Sequence, residues 1–305
     1  MTLRTSVLLL LSVLPCSAAD KVSPLVSAQP NHSVSYFLIQ FAPETEPTRV
    51  DLLLSAKHLQ ISPRPGLPPG YALVLGSKQQ VVSLAAAPEV QSIMLASDTL
   101  AASSQVFSCG GGLYNSEQGP LGAYIGADGD GWSGPGHGPA SIGYFFGPLT
   151  SKIPDAVVRA TLLKALAAWS SYVQIKFYPA ASATEPQTIT FSFHTRDHGD
   201  GYAFDGPGGV LAHTFYPAPP VYEPLAGDVH FDDDEPWGTA NGPELYTVAL
   251  HEIGHALGLL HSDSPDALMY PIYQSPPELW RADIEAAQRL YPPRLYLPKP
   301  FRTQP

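Results

Sequence analysis

The sequence has 305 residues, of which 44% are hydrophobic and 14% charged, enough for a sizeable core and, at this length, for two domains. Sixteen Lys and Arg stand against 27 Asp and Glu, giving a formal net charge of −11 with no basic stripe. That balance argues against nucleic acid as a partner and suits a soluble extracellular protein or a calcium binder.

Residues 1–19 read as a signal peptide. Arg4 supplies a positive start, Val7 to Leu14 an apolar run, and Ser17-Ala18-Ala19 small residues ahead of Asp20. No later run approaches the ~18 apolar residues of a membrane span, so secretion without an anchor is expected. Loss of the leader removes Cys16 and leaves Cys109 as the one thiol, with no disulfide partner.

Residues 20–96 read as a small α+β unit. Its expected elements are a strand at Ser35–Phe41, a helix at Val50–Leu59, a Pro-rich turn at Pro63–Pro69 and a strand at Tyr71–Leu75. A helix at Gln79–Ala86 and a strand at Val90–Leu95 follow. The order resembles the ferredoxin-like pro-regions found ahead of many secreted proteases, one strand short; an unrelated small α+β fold is the alternative. Residues 97–140 are rich in Gly, Ser and Ala, and Gly126 to Gly138 is nearly all turn-formers, so the stretch reads as an exposed linker.

A second unit is expected over residues 141–292, followed by a Pro-rich tail at 293–305. Ile142–Phe146 suits a strand, and Pro154 the first turn of a helix whose Val158, Leu162, Ala165, Leu166 and Trp169 form one apolar stripe. Ile175–Phe177 and Thr188–Phe193 suit strands, and helices are expected at Tyr246–Leu257 and Arg281–Tyr291.

The segment from His251 to His261, HEIGHALGLLH, carries the chemistry. His251 and His255 lie one helical turn apart on one face and can bind one metal together. Glu252 can reach a water at that metal without ligating it, as general base. Gly258 lets the chain leave the helix sharply, so that His261 returns as third ligand. Three protein ligands leave a fourth position open, the mark of a catalytic rather than a structural zinc. Two histidines at this spacing also occur as ordinary core or surface residues, but Gly258, His261 and the later Met269 complete a metzincin signature with its Met-turn.

Further segments make the region from about 140 to 292 resemble the matrixins, the matrix-metalloproteinase branch of the metzincins. They are His198-Gly199-Asp200, Phe204 to Gly209, Leu211-Ala212-His213, the run Asp228 to Trp237, and Ala267 to Pro271. The resemblance implies an α+β catalytic domain with a twisted mixed five-stranded sheet and three helices. It also implies a closed structural zinc on His198, Asp200, His213 and His230. A calcium ion is implied on the carboxylates of Asp205, Asp232 and Glu235 and the carbonyls of Gly206, Gly208 and Val210. The activity implied is secreted zinc endopeptidase. Its substrate would be a peptide or protein bound extended along Gly209–His213, with an apolar side chain after the cleaved bond and Pro271, Ile272 and Tyr273 walling its pocket. In that chemistry Glu252 takes a proton from water and passes it to the leaving amine.

The sequence departs from the family in three ways. A second calcium site would need an aspartate at Thr188 and glycines at Pro224 and Ala226, so it is not expected. No haemopexin-like domain is expected, and a monomer is. Pro63 to Pro68 mimics the family's inhibitory pro-region segment but has Pro65 where the cysteine belongs, which leaves Cys109 as the candidate latency ligand. A free cysteine with no role is the alternative. Two other functional classes stay open: a non-catalytic zinc- and calcium-stabilised binding module, and a different metal hydrolase.

Overall fold

A computed structural model describes residues 18–19, 21–42, 44–68, 70–102, 106–113, 131–134, 137–218, 221–273 and 279–293. Nearly all of the expected leader, residues 103–105, 114–130 and 135–136 of the expected linker and residues 294–305 of the tail lie outside these residues.

After a short helix α1 (Pro24–Ala28), the chain runs β1 (Val34–Phe41), α2 (Pro47–Ala56), β2 (Gln60–Ile61), β3 (Tyr71–Ser77), α3 (Lys78–Val82) and β4 (Val90–Leu95). The four strands form one sheet in the order β2-β3-β1-β4, every neighbouring pair antiparallel. This is a β-α-β-β-α-β succession, and β2 is the strand that the sequence left unassigned. Two exposed residues are too few to show a period. Alternate residues of β1 serve two cores. Phe37, Ile39 and Phe41 face Leu54 of α2 and Val81 of α3, whereas Leu38 joins Leu73, Met94, Leu100 and Val106 on the other face. That second cluster also holds Tyr270 and Ile272, nearly two hundred residues away, so the sheet is covered on both sides.

Helix α4 (Asp98–Ala102) and strand β5 (Ser108–Leu113) follow, then a 3-10 turn at Gly131–Ser133. The second sheet is built from β5, β6 (Ala140–Phe146), β7 (Ile175–Pro179), β8 (Thr188–His194), β9 (Val210–Phe215) and β10 (Val229–Asp232). Its order is β5-β9-β10-β8-β6-β7; β9 and β10 are antiparallel and all other pairs parallel. The sheet thus has six strands where five were expected. The sixth, β5, comes from the stretch that reads as linker and adds to the edge of β9, whose backbone groups are otherwise unpaired on that side. Glycine at positions 110 to 112 hides it from any reading of apolar alternation.

Helix α5 (Asp155–Ser170) buries the expected stripe completely, with Val158, Leu162, Ala165, Leu166 and Trp169 at 2% exposure or less. Trp169 Nε1 donates to the Leu250 carbonyl of α6 (Leu245–Ala256) at 2.8 Å, fixing the two helices against each other. Helix α7 (Arg281–Leu290) closes the unit. The same core takes in Trp132 and Ala140, ahead of the expected start at Ser141.

Candidate metal centres and active site

Helix α6 is buried on nearly every side, so its histidines meet protein rather than water. His251 Nδ1 donates to the Leu268 carbonyl at 2.7 Å, and His255 Nδ1 to the Leu259 carbonyl at 2.6 Å. Each ring therefore keeps a bare lone pair on Nε2, yet the two Nε2 atoms face each other 3.1 Å apart. Two acceptors at that distance repel unless a cation lies between them, so the pair fits a metal. Burial lowers His251 to about 4 and pushes His255 and His261 well below the usual histidine range, leaving all three rings in the neutral, ligating form.

His261 reaches this pair because α6 ends in a Schellman turn. Gly258 adopts φ 101°, its N–H bonds the His255 carbonyl at 2.8 Å, and the Leu259 N–H bonds the Gly254 carbonyl at 2.9 Å. Both ring nitrogens of His261 are buried without a hydrogen-bond partner, which a metal would satisfy. Cys109 completes the set: its Sγ and one nitrogen of each histidine all lie within 4.8 Å of one another. Three imidazoles and a thiol are a donor set that zinc accepts.

Glu252 is 1% exposed. Thr214 Oγ1 donates to its Oε2 at 2.6 Å, while Oε1 is buried with no partner. Burial raises its carboxyl to about 7, against the lowering effect of the neighbouring Cys109 thiol and Thr214 hydroxyl. A pocket adjoins Cys109, His251 and Glu252. Leu211, Val248 and Leu268 line it, as do Pro271, Ile272 and Tyr273, the expected wall.

Strand β9 serves two sites through its pleat. Thr214 points toward Glu252 of α6, and His213 before it points to the other face. There His198 Nε2, His213 Nε2 and His230 Nδ1 stand 2.8, 2.8 and 2.9 Å from Asp200 Oδ2. Nitrogen separations are 3.1 Å for His198–His230 and 3.3 Å for His213–His230. Four donors around zinc at ~2.0–2.1 Å would sit about 3.3 Å apart, so this closed cluster fits the ion. Burial alone would raise the Asp200 carboxyl, but hydrogen bonds from His213, His230 and the Tyr202 N–H outweigh it and hold the group low. His198 Nδ1 bonds the Arg196 carbonyl at 2.9 Å, which fixes that ring's orientation.

The expected calcium residues gather around the loop before β9. Asp205 Oδ1 accepts the Val210 N–H at 3.2 Å, Asp232 Oδ2 the Gly206 N–H at 3.3 Å, and Glu235 Oε1 the Gly208 N–H at 2.6 Å. Glu235 is fully buried and its Oε2 has no partner. Burial, with Asp232 and Asp205 adding repulsion, raises Glu235 to about 7. A buried carboxylate with a free oxygen among like charges suits a hard cation.

Three residues of the site escaped the sequence. Thr214 was legible in principle, since alternation from His213 sends it toward α6. Asp283 accepts the N–H groups of Leu268 at 3.0 Å, Met269 at 3.2 Å and Trp280 at 3.0 Å. It thereby holds the turn beneath His251, with no local signal of that role. Trp132 lies in a glycine-rich run that hides it.

The matrixin family model matches residues 136–292, which carry both histidine clusters. The chain is 44% identical to human matrix metalloproteinase-20 over 167 residues, covering 52% of this chain and 33% of that protein. It is 43% identical to human matrix metalloproteinase-17 over 133 residues, covering 42% of this chain and 21% of that protein. The chain thus spans a third or less of the length of these relatives. With just over half of its residues inside the family match, and the zinc-type donor sets in the matched part, the chain belongs to the matrixin family.

Proposed function

We propose that the chain is the precursor of a secreted zinc-dependent endopeptidase that hydrolyses extracellular proteins or peptides. One observation carries the reading: the Nε2 atoms of His251 and His255 meet as bare acceptors beside His261, with a buried Glu252 next to them. His251, His255 and His261 hold the catalytic zinc. His198, Asp200, His213 and His230 hold a structural zinc. Asp205, Asp232, Glu235 and the carbonyls of Gly206, Gly208 and Val210 hold calcium. When bound, the catalytic zinc supplies Lewis-acid polarisation of a carbonyl and acidification of water.

The chain's own groups do the rest. Glu252, oriented by Thr214, accepts a proton from the attacking water and delivers it to the leaving amine. The edge of β9 pairs with an extended peptide, and the pocket walled by Pro271, Ile272 and Tyr273 takes an apolar side chain after the cleaved bond. Residues 1–19 act as the leader, and residues 20–96 as a pro-region. In this precursor β5 occupies the β9 edge, and Cys109 supplies the fourth ligand to the catalytic zinc. No described helix is long and apolar enough to cross a membrane.

The test is zinc content together with cleavage of a generic peptide library by the processed protein, with and without chelator. Glu252→Ala should keep zinc and lose cleavage. Retained cleavage in that variant would sink the catalytic assignment, and zinc without cleavage in the parent would favour the non-catalytic binding module.

A further inference from the structure

The carboxyl end of α6 is followed within five residues by His261, so any freedom there is passed to the third histidine. A helix end leaves its last carbonyls without intrahelical partners. Here that of Ala256 is met by a segment more than a hundred residues earlier in the chain, and that of Leu257 by Tyr291, just past α7. Trp132 Nε1 donates to the Ala256 carbonyl at 2.6 Å. The Trp132 backbone N–H donates to Tyr291 Oη at 3.1 Å, and that hydroxyl donates to the Leu257 carbonyl at 2.8 Å.

The fit is close. The Trp132 ring is 6% exposed and packs over Gly227, where an added Cβ would come within 2.4 Å of Cζ2. Gly131 adopts φ 53°, and a Cβ there would stand 2.5 Å from Tyr291 Oη, so the relay requires glycine at this point. A Cβ added at Gly258, the turn residue itself, would stand 3.7 Å from Gly131 Cα. Trp132 lies outside residues 136–292, the part that matches the family.

We infer that Trp132 is a positioning residue for the catalytic-zinc site: it staples the end of α6 and so fixes the turn that delivers His261. The inference rests on the reading of His251, His255 and His261 as zinc ligands. It also places the activating cleavage before Gly131, because an enzyme cut later would lose the staple.

The experiment uses the full zinc-loaded chain and the rate at which it yields zinc to a chromogenic chelator. Trp132→Phe keeps most of the packing and removes the indole N–H, and Tyr291→Phe removes the relay to Leu257. Leu162→Ala, on the buried stripe of α5, serves as a variant destabilised elsewhere in the same core. Trp132→Phe should release zinc about tenfold faster than Leu162→Ala, with a shifted visible spectrum for the cobalt-substituted chain. Tyr291→Phe should do the same to a smaller degree. Release rates that merely follow thermal stability across the three variants, with unchanged cobalt bands, would overturn the inference. A parent that binds no zinc through its three histidines would overturn the zinc reading as well, so the two failures are distinguishable.

Discussion

Glu252 has two oxygens with different surroundings, and the difference says what each is for. Oε2 is tied to Thr214 Oγ1 at 2.6 Å, while Oε1 is buried without a partner beside the histidine cluster. One oxygen orients the carboxylate and the other is left for chemistry. Thr214→Val conserves shape and removes the orienting donor, leaving a buried carboxylate oxygen unsatisfied. A hydrogen bond to a charged group contributes about 1.5–3 kcal/mol, so kcat should fall about tenfold to a hundredfold with zinc content unchanged and KM little altered. Steady-state kinetics with metal analysis reads this. A fall in kcat that goes with loss of zinc would mean that Thr214 supports the fold of the site and not the base.

At the scale of elements, the site rests on a relay that ends in α7. Asp283 accepts three N–H groups, two of them from Leu268 and Met269, and the Leu268 carbonyl in turn receives His251 Nδ1. Asp283→Ala would orphan those N–H groups in a site with no access to water, since Asp283 is fully buried. A loss of about 3 kcal/mol in unfolding free energy is expected, read by denaturant titration, together with weaker zinc retention. A variant as stable as the parent would show the turn to be held by packing alone. The sequence announces α5, α6 and α7 to within about two residues because each repeats an apolar stripe long enough to set its period. It leaves β2 and β5 unannounced for physical reasons. Two exposed residues carry no period, and three consecutive glycines in β5 have no side chains to alternate. The first two histidines of the proposed zinc site are legible because helical spacing alone brings them together. Asp283 and Trp132 are not, because their partners are brought near only by the folded chain.

Across the whole molecule, the two sheets are joined at the candidate active site. Strand β1 reads as an unbroken apolar run, Phe37 to Ile39, where a sheet with one face in water would alternate. Its second face, with Leu38, Leu73 and Met94, meets Tyr270 and Ile272, and Ile272 lines the pocket beside Glu252. Tyr270 Oη also donates to the Leu95 carbonyl at 3.2 Å, and Ser23 Oγ to Asp263 at 2.5 Å. Strand β5 is gripped between these parts. The Cys109 N–H bonds the Pro271 carbonyl at 3.0 Å on one side, and the Ser108 N–H bonds the Gly209 carbonyl at 2.8 Å on the other. Latency in the proposed precursor then has two supports, the thiol at the zinc and the docked sheet that keeps β5 in the cleft. Cys109→Ser should raise the peptidase activity of the uncleaved chain, and an unchanged latent chain would rule the thiol out. Met94→Asp attacks the other support. An unpaired carboxylate buried at that interface costs several kcal/mol, which undocking relieves, while the opposite face of the same sheet keeps its own core around Phe37, Ile39 and Val74. The uncleaved variant should therefore cleave peptide at least about tenfold faster than the parent, and its residues 106–113 should become open to an added protease. An uncleaved Met94→Asp chain that stays fully latent with β5 protected would show that the thiol alone holds the cleft shut.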